Sequence, residues 1–145
     1  MSEGRRPAAG RTLAYRWRPG DDLKLSLMAI LEASTISAGV ILSLVGSLSS
    51  ARLRMAGGDS LKDFSGPLEI VSATGTIGGN ACHIHVSISD ATGTTYGGHL
   101  VEGCPVFTTA ELVILDLSAS WLFDRVHDPC TGFRELSIAA CPAIP

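Results

Sequence analysis

The stretch "HIHVSISDATGTTYGGHL", residues 83–100, holds three of the chain's four histidines. Side chains alternate faces along a strand, so His83 and His85 point the same way. Asp90–Ala91–Thr92–Gly93–Thr94 is the natural turn of a hairpin. If Asp90 pairs with Thr94 around a three-residue loop, with Gly93 left-handed, His85 faces His99 across the strands. His83 is then a diagonal neighbour on the same face. Cross-strand Cβ atoms lie about 5 Å apart, so three imidazoles at this spacing can converge on one ion. Three neutral nitrogen ligands plus an open position suit zinc. A two-residue Thr92–Gly93 turn would instead pair His99 with Val86 and send it to the opposite face. Two readings therefore stand side by side: a metal site on one hairpin, and an ordinary wet hairpin face.

Working outward, "RTLAYRWRP" alternates Leu13, Tyr15 and Trp17 with Thr12, Ala14 and Arg16, which predicts a first strand. "PGDDLKLSLMAILEAS" reads as a helix with Asp21 as N-cap, since Leu23, Leu27, Ile30 and Leu31 recur at helical spacing. Gly39 is its stop. "AGVILSLVGSLSSARLRMA" predicts two strands bent or turned near Gly46, and "PLEIVSATGTIGG" one more. "TAELVILDLSASW" is a further strand. "FDRVHDPCTGFRELSI" is a closing hairpin, because Asp128–Pro129–Cys130–Thr131–Gly132 has strong turn chemistry. His127 reads as an exposed strand residue. The expected class is α+β, a single domain over residues 11–139 with a mainly antiparallel sheet packed against a few helices. Residues 1–10 and 140–145 are expected to be tails.

Composition bounds the function. The 145 residues suffice for one domain with a real core. Hydrophobic residues make up 46% and charged ones 17%, a globular balance. A net charge of −3 and 6% aromatics argue against direct binding to nucleic acid. "MSEGRRPAAGR" lacks the apolar core of a secretory signal, and nothing apolar follows Arg5 and Arg6 where a twin-arginine signal needs it. "AGVILSLVGSL" is too short to span a bilayer. The expected location is cytoplasmic. Cys82, Cys104, Cys130 and Cys141 form no CxxC pair, so reduced thiols are expected; Cys82 and Cys104 read as small buried hydrophobes and Cys130 as a turn residue. There is no P-loop, GxSxG elbow or HExxH, and "ATGTIGG" is not a dinucleotide fingerprint.

"GPLEIVSATGTI" followed by "HIHVSISDATGTTYGGHLVEGCPVFTTAEL" resembles the core of the PPC, or plants and prokaryotes conserved, domain. Upstream, "RPGDDLKLSLMAILEASTISAGVILSLVGSLSSARLRMA" is similar to the family's helix-then-strands opening, and "FDRVHDPCTGFRELSI" to its closing hairpin. The resemblance spans residues 12–138. It implies an α+β domain and a homotrimer. Plant members join the domain to AT-hooks and work in AT-rich DNA binding. "EGRRPAAGR" lacks the Arg-Gly-Arg-Pro core of a hook, so the chain resembles the stand-alone prokaryotic form, with direct DNA binding weak or indirect. In that form an H-x-H followed by G-G-H is regarded as a metal site. His83, His85 and His99 stand at those positions, and three imidazoles favour zinc.

The function expected on this basis is a trimeric oligomerisation and binding module with a three-histidine metal site, linked to DNA-associated regulation through partners. The alternative is a metal-dependent enzyme of unknown substrate that uses a metal-bound water. In that case Glu102 is a candidate general base, against its plainer reading as a solvated hairpin residue. A closed site at the histidines favours the module, and a cleft with an open coordination position favours chemistry.

Overall fold

The computed structural model describes residues 10–141. In chain order its elements are β1 (Arg11–Trp17), α1 (Leu23–Ala33), β2 (Gly39–Arg54), β3 (Leu61–Gly78), β4 (Ala81–Ser89), β5 (Thr95–Leu100), β6 (Val106–Asp116), β7 (Trp121–His127) and β8 (Arg134–Ala140). The architecture is mostly β with a single helix, rather than the α+β balance with a few helices expected from sequence. The reason lies in the hydrophobic period. Leu23, Leu27 and Leu31 recur at helical spacing and form the buried face of α1, while the remaining apolar runs alternate or are rich in β-branched residues and pair as strands.

Asp22, not Asp21, caps the helix. Its Oδ1 accepts from the backbone of Lys24 at 2.9 Å and Leu25 at 3.0 Å. Its Oδ2 accepts from the amides of Gly103 and Cys104, at 2.9 and 2.7 Å, tying the helix start to the loop after β5. Gly39 does not stop the helix; α1 ends at Ala33 with Ser34 as C-cap, and Gly39 opens β2.

Six strands form one sheet in the order β1-β6-β2-β3-β4-β5, with every pair antiparallel. β2 is one bent strand, where two were expected. Gly46 sits at φ +149 in the bend, and a Cβ there would lie 2.1 Å from the Thr109 carbonyl oxygen. A glycine thus lets β2 curve against β6 without leaving the sheet. The curvature has a consequence for the site. The end of β2 returns to pair Leu53 with Leu100 and Arg54 with His99, so β2, β3, β4 and β5 close into a ring. Leu53, Ile84, Ile88 and Leu100 fill it, each at most 2% exposed.

β7 and β8 form a separate two-stranded sheet. Its turn has the expected chemistry: Asp128 and Phe133 close it through a 2.9 Å backbone bond, and Gly132 takes φ +76. The strands run one residue past the expected domain end, because Ala140 pairs with Trp121. The tails expected at 1–9 and 142–145 lie outside the described residues. Among the described residues all four cysteines are free; Cys104 is buried, Cys82 half-buried and Cys130 exposed. No helix among them is long and apolar enough to cross a membrane.

Candidate metal centre

The centre begins with one turn. The Asp90 carboxylate accepts from the amides of Thr92 at 2.9 Å and Thr94 at 3.1 Å, and from the Thr92 hydroxyl at 2.6 Å. These hydrogen bonds, the Thr92 hydroxyl first, hold its carboxyl below the usual carboxylate range. The Asp90 amide donates to the Thr94 carbonyl at 3.0 Å, and Gly93 takes φ +83. This is the three-residue loop, and it opposes His85 to His99. Along β4, Ile84, Val86 and Ile88 are buried while His83 and His85 are exposed, so burial of one face locks the histidines onto the other.

The pair Gly97–Gly98 seats β5. A Cβ on Gly98 would lie 2.9 Å from the Arg54 carbonyl oxygen and 3.0 Å from the Leu53 Cβ. Its absence lets β5 approach the end of β2 closely enough to place Arg54 opposite His99.

The three rings converge. Centroid separations are 5.0 Å for His83–His85, 5.0 Å for His83–His99 and 5.7 Å for His85–His99. One ring nitrogen from each lies within 4.8 Å of the others. The Nε2 atoms of His83 and His85 stand 3.2 Å apart. Two nitrogens bound tetrahedrally at zinc distances would stand about 3.4 Å apart, so this pair already has ligand spacing. His99 Nδ1 is buried and has no hydrogen-bond partner. A buried polar atom left unpaired is costly unless something else engages its ring.

The electrostatics favour neutral rings. Burial, then Arg54, His83, Lys24 and His85, push His99 down to about 4. Burial, then the neighbouring His85 and Arg125, lower His83 as well. Lys24 of α1 adds its charge from behind, with Nζ donating to Cys82 Sγ at 3.0 Å. Neutral imidazole is the ligating form, so the surroundings of His83 and His99 suit a cation bound through nitrogen lone pairs.

Above the triad lies a cleft of about 920 Å³. Its floor is the three histidines, and Arg54, Arg125, Arg134 and Glu135 stand at its walls. The β7–β8 hairpin supplies three of these. It is docked by the Phe123 amide on the Ser37 carbonyl at 2.9 Å and by Arg125 Nη2 on the Thr76 hydroxyl at 2.6 Å. Glu102 is exposed beyond the end of β5 and does not line the cleft; Glu135 is the acidic side chain that does. His127 is exposed at the end of β7, away from the cluster. The wall arginines had no local signal, because β2 and the last hairpin meet β4 and β5 only through the fold.

Sequence comparison places these features in a group. The chain is 43% identical over 130 residues to a Synechococcus sp. (strain JA-3-3Ab) protein named "Bifunctional protein GlmU", matching 88% of this chain and 20% of that protein. The chain thus spans about a fifth of the length of the curated relatives it matches. A hypothetical protein from Salmonella cholerae-suis shares its structure with a TM-score of 0.86 and 34% identity, covering 92% of this chain and 96% of that one. A metal-containing protein from Archaeoglobus fulgidus superposes with a TM-score of 0.77 at 30% identity, covering 90% and 95%. The profile of the Plants and Prokaryotes Conserved domain matches residues 4–118, from ahead of β1 to the end of β6, with the whole histidine hairpin inside. The chain belongs to the Plants and Prokaryotes Conserved (PCC) domain family.

Proposed function

We propose that this chain is a trimeric, metal-binding module whose His83, His85 and His99 hold a zinc ion. The observation that carries the reading is the convergence of three ring nitrogens within 4.8 Å on one wet face of one hairpin. The Archaeoglobus fulgidus relative, described as metal-containing, supports it. Zinc held there would supply Lewis acidity and lower the pKa of water at its open position. The chain's own part is to fix three rings by strand register and to hold a cationic wall above them. The trimer is supported by Leu42, Val45 and Val71, large aliphatics exposed on the adjacent strands β2 and β3, which a partner would cover. The length relation to the GlmU proteins fits a module that also occurs within larger chains. With a net charge of −3, any DNA-associated role runs through partners or through weak, salt-sensitive contact.

A second reading, metal-dependent catalysis, gains from the cleft. A purely structural site would be capped by protein, whereas here about 920 Å³ opens above the rings.

Elemental analysis of the purified protein tests the metal reading. About one zinc per chain is expected, falling to near zero in His85→Ala and unchanged in His127→Ala. Retention of stoichiometric metal by His85→Ala would refute it. Light scattering on the same samples should give about three times the 15.1 kDa chain mass; a monomer would remove the trimer.

A further inference from the structure

We propose that the cleft over the histidines is an oxyanion site, taking a small organic carboxylate or phosphate whose anionic group is gripped by Arg125 and Arg54 on opposite sides of the imidazole triad. The strand register sets the arrangement. Across β2, β5, β4 and β3 the paired residues run Arg54, His99, His85, Thr74, and two residues away along β4 His83 pairs with Thr76. Arg54 therefore ends the row on one side. On the other side, Arg125 Nη2 donates to Thr76, beside His83.

The arginines are placed but not neutralised. The ion pairs among the described residues are Arg11–Asp116 and Arg52–Asp63, neither of which involves a cleft arginine. Arg125 uses one nitrogen on Thr76, and Arg134 directs Nε and Nη2 to the Arg125 carbonyl at 2.9 and 2.5 Å. Arg134 thus braces the strand that carries Arg125, leaving most of the Arg125 fork free. Arg54 and Arg125 are both half-buried, so they do not simply extend into water. Three guanidiniums face one carboxylate, Glu135. Gathering this much like charge is unfavourable unless a ligand supplies the counter-charge. A planar guanidinium fork matches the two oxygens of a carboxylate or phosphate. The cleft is larger than a bare ion requires, and Met55 and Phe133 line it, leaving apolar room for an organic remainder.

The proposal rests on the metal reading for the anion's position over the rings, while its arginine part is separable. Calorimetric titration of inorganic phosphate and of malonate tests it, into zinc-loaded protein freed of unbound zinc and into chelator-treated protein. Zinc content is measured on every sample. Wild type should bind at least one of the two anions at submillimolar concentration. Arg125→Gln and Arg54→Gln should each weaken it at least tenfold with zinc content unchanged. Arg16→Gln, whose guanidinium bonds Thr109 between β1 and β6 and does not line the cleft, should bind as wild type. Preference for phosphate or malonate identifies the ligand class. Absence of binding by zinc-loaded wild type, or wild-type affinity in both cleft variants, overturns the proposal. If wild type holds no zinc, the metal reading fails on its own. The chelator-treated series then decides the anion site: arginine-dependent binding upholds it, and none overturns it.

Discussion

The β4–β5 hairpin and the β7–β8 hairpin meet over the same cleft but are built on opposite terms. The first buries an entire face: Ile84, Val86 and Ile88 are at most 3% exposed. The second leaves Leu122, Val126 and Ile138 between 41% and 58% exposed and touches the main sheet through a few polar bonds and the glycine turn at Gly78–Gly79. Burial of one face makes register expensive to change, because a one-residue slip would turn every side chain over. Side chains that must converge within ångströms, as the three histidines do, therefore sit on the first hairpin. Groups that only need to approach from above sit on the second, in keeping with its place beyond residue 118, where the family match ends.

Core truncation breaks this comparison most directly. Ile88 is fully buried, so Ile88→Ala should destabilise by about 2–5 kcal/mol in urea denaturation, through lost transfer energy and a cavity. Ile138→Ala, at a position 58% exposed, should change stability by no more than about 0.5 kcal/mol. Comparable losses would mean that the second hairpin is as much a part of the core as the first, most simply through a partner subunit covering it.

The same contrast explains what could be read without a structure. The three histidines were legible because their chemistry lies within one hairpin, and both strand alternation and turn chemistry are local. Even there the register hung on Asp90, whose carboxylate selects the three-residue loop. The helix was legible from Leu23, Leu27 and Leu31, but its cap was displaced by one residue. Asp21 and Asp22 are equivalent as local signals, and what distinguishes Asp22 is its second oxygen reaching Gly103 and Cys104. At Gly46 the sequence leaves β2 ambiguous, because a glycine in a strand signals a break as readily as a bend, and only packing against Thr109 decides. Glu102 is near His99 only in sequence, whereas Glu135 reaches the cleft by folding.

A subtler disturbance acts through the backbone of the first hairpin. Gly98→Ala would put a methyl 2.9 Å from the Arg54 carbonyl and 3.0 Å from Leu53. Neither neighbour is a flexible side-chain end, so β5 should shift away from β2 at about 1–3 kcal/mol. Because His99 follows directly, zinc affinity should fall as well. Gly132→Ala in the second hairpin has nothing within 4 Å but sits at φ +76, so it should lower stability without altering zinc affinity. Denaturation and a competitive zinc titration on both variants separate these effects. Unchanged zinc affinity in Gly98→Ala would show that the β2–β5 closure is not what positions His99.

The smallest effect is expected at the joint between the two regions. Asp116 ends β6, and its Oδ1 accepts from the Ser118 amide at 2.9 Å and hydroxyl at 2.5 Å. The Ser118 hydroxyl oxygen in turn accepts from the amide of Ser37 at 2.9 Å, the same residue whose carbonyl docks β7. Arg11 donates to the second carboxylate oxygen at 2.9 Å, but its side chain is largely exposed, which weakens that pair. Burial alone would raise the Asp116 carboxyl; the Ser118 bonds and Arg11 outweigh it and leave the group below its usual range. A carboxyl lowered in the folded state stabilises in its ionised form. Its contribution is whole above the unfolded value, about 3.9, and disappears as pH falls through the folded value beneath it. Asp116→Asn keeps an acceptor for Ser118 but loses the charge, so it should lower stability by about 1 kcal/mol at pH 7. The gap between wild type and variant should hold steady from pH 8 to about pH 5 and close below about pH 4. Urea denaturation across that range measures it. A gap that widens on acidification would mean that Asp116 is held protonated, and that the joint relies on the hydroxyl of Ser118 rather than on the carboxylate's charge.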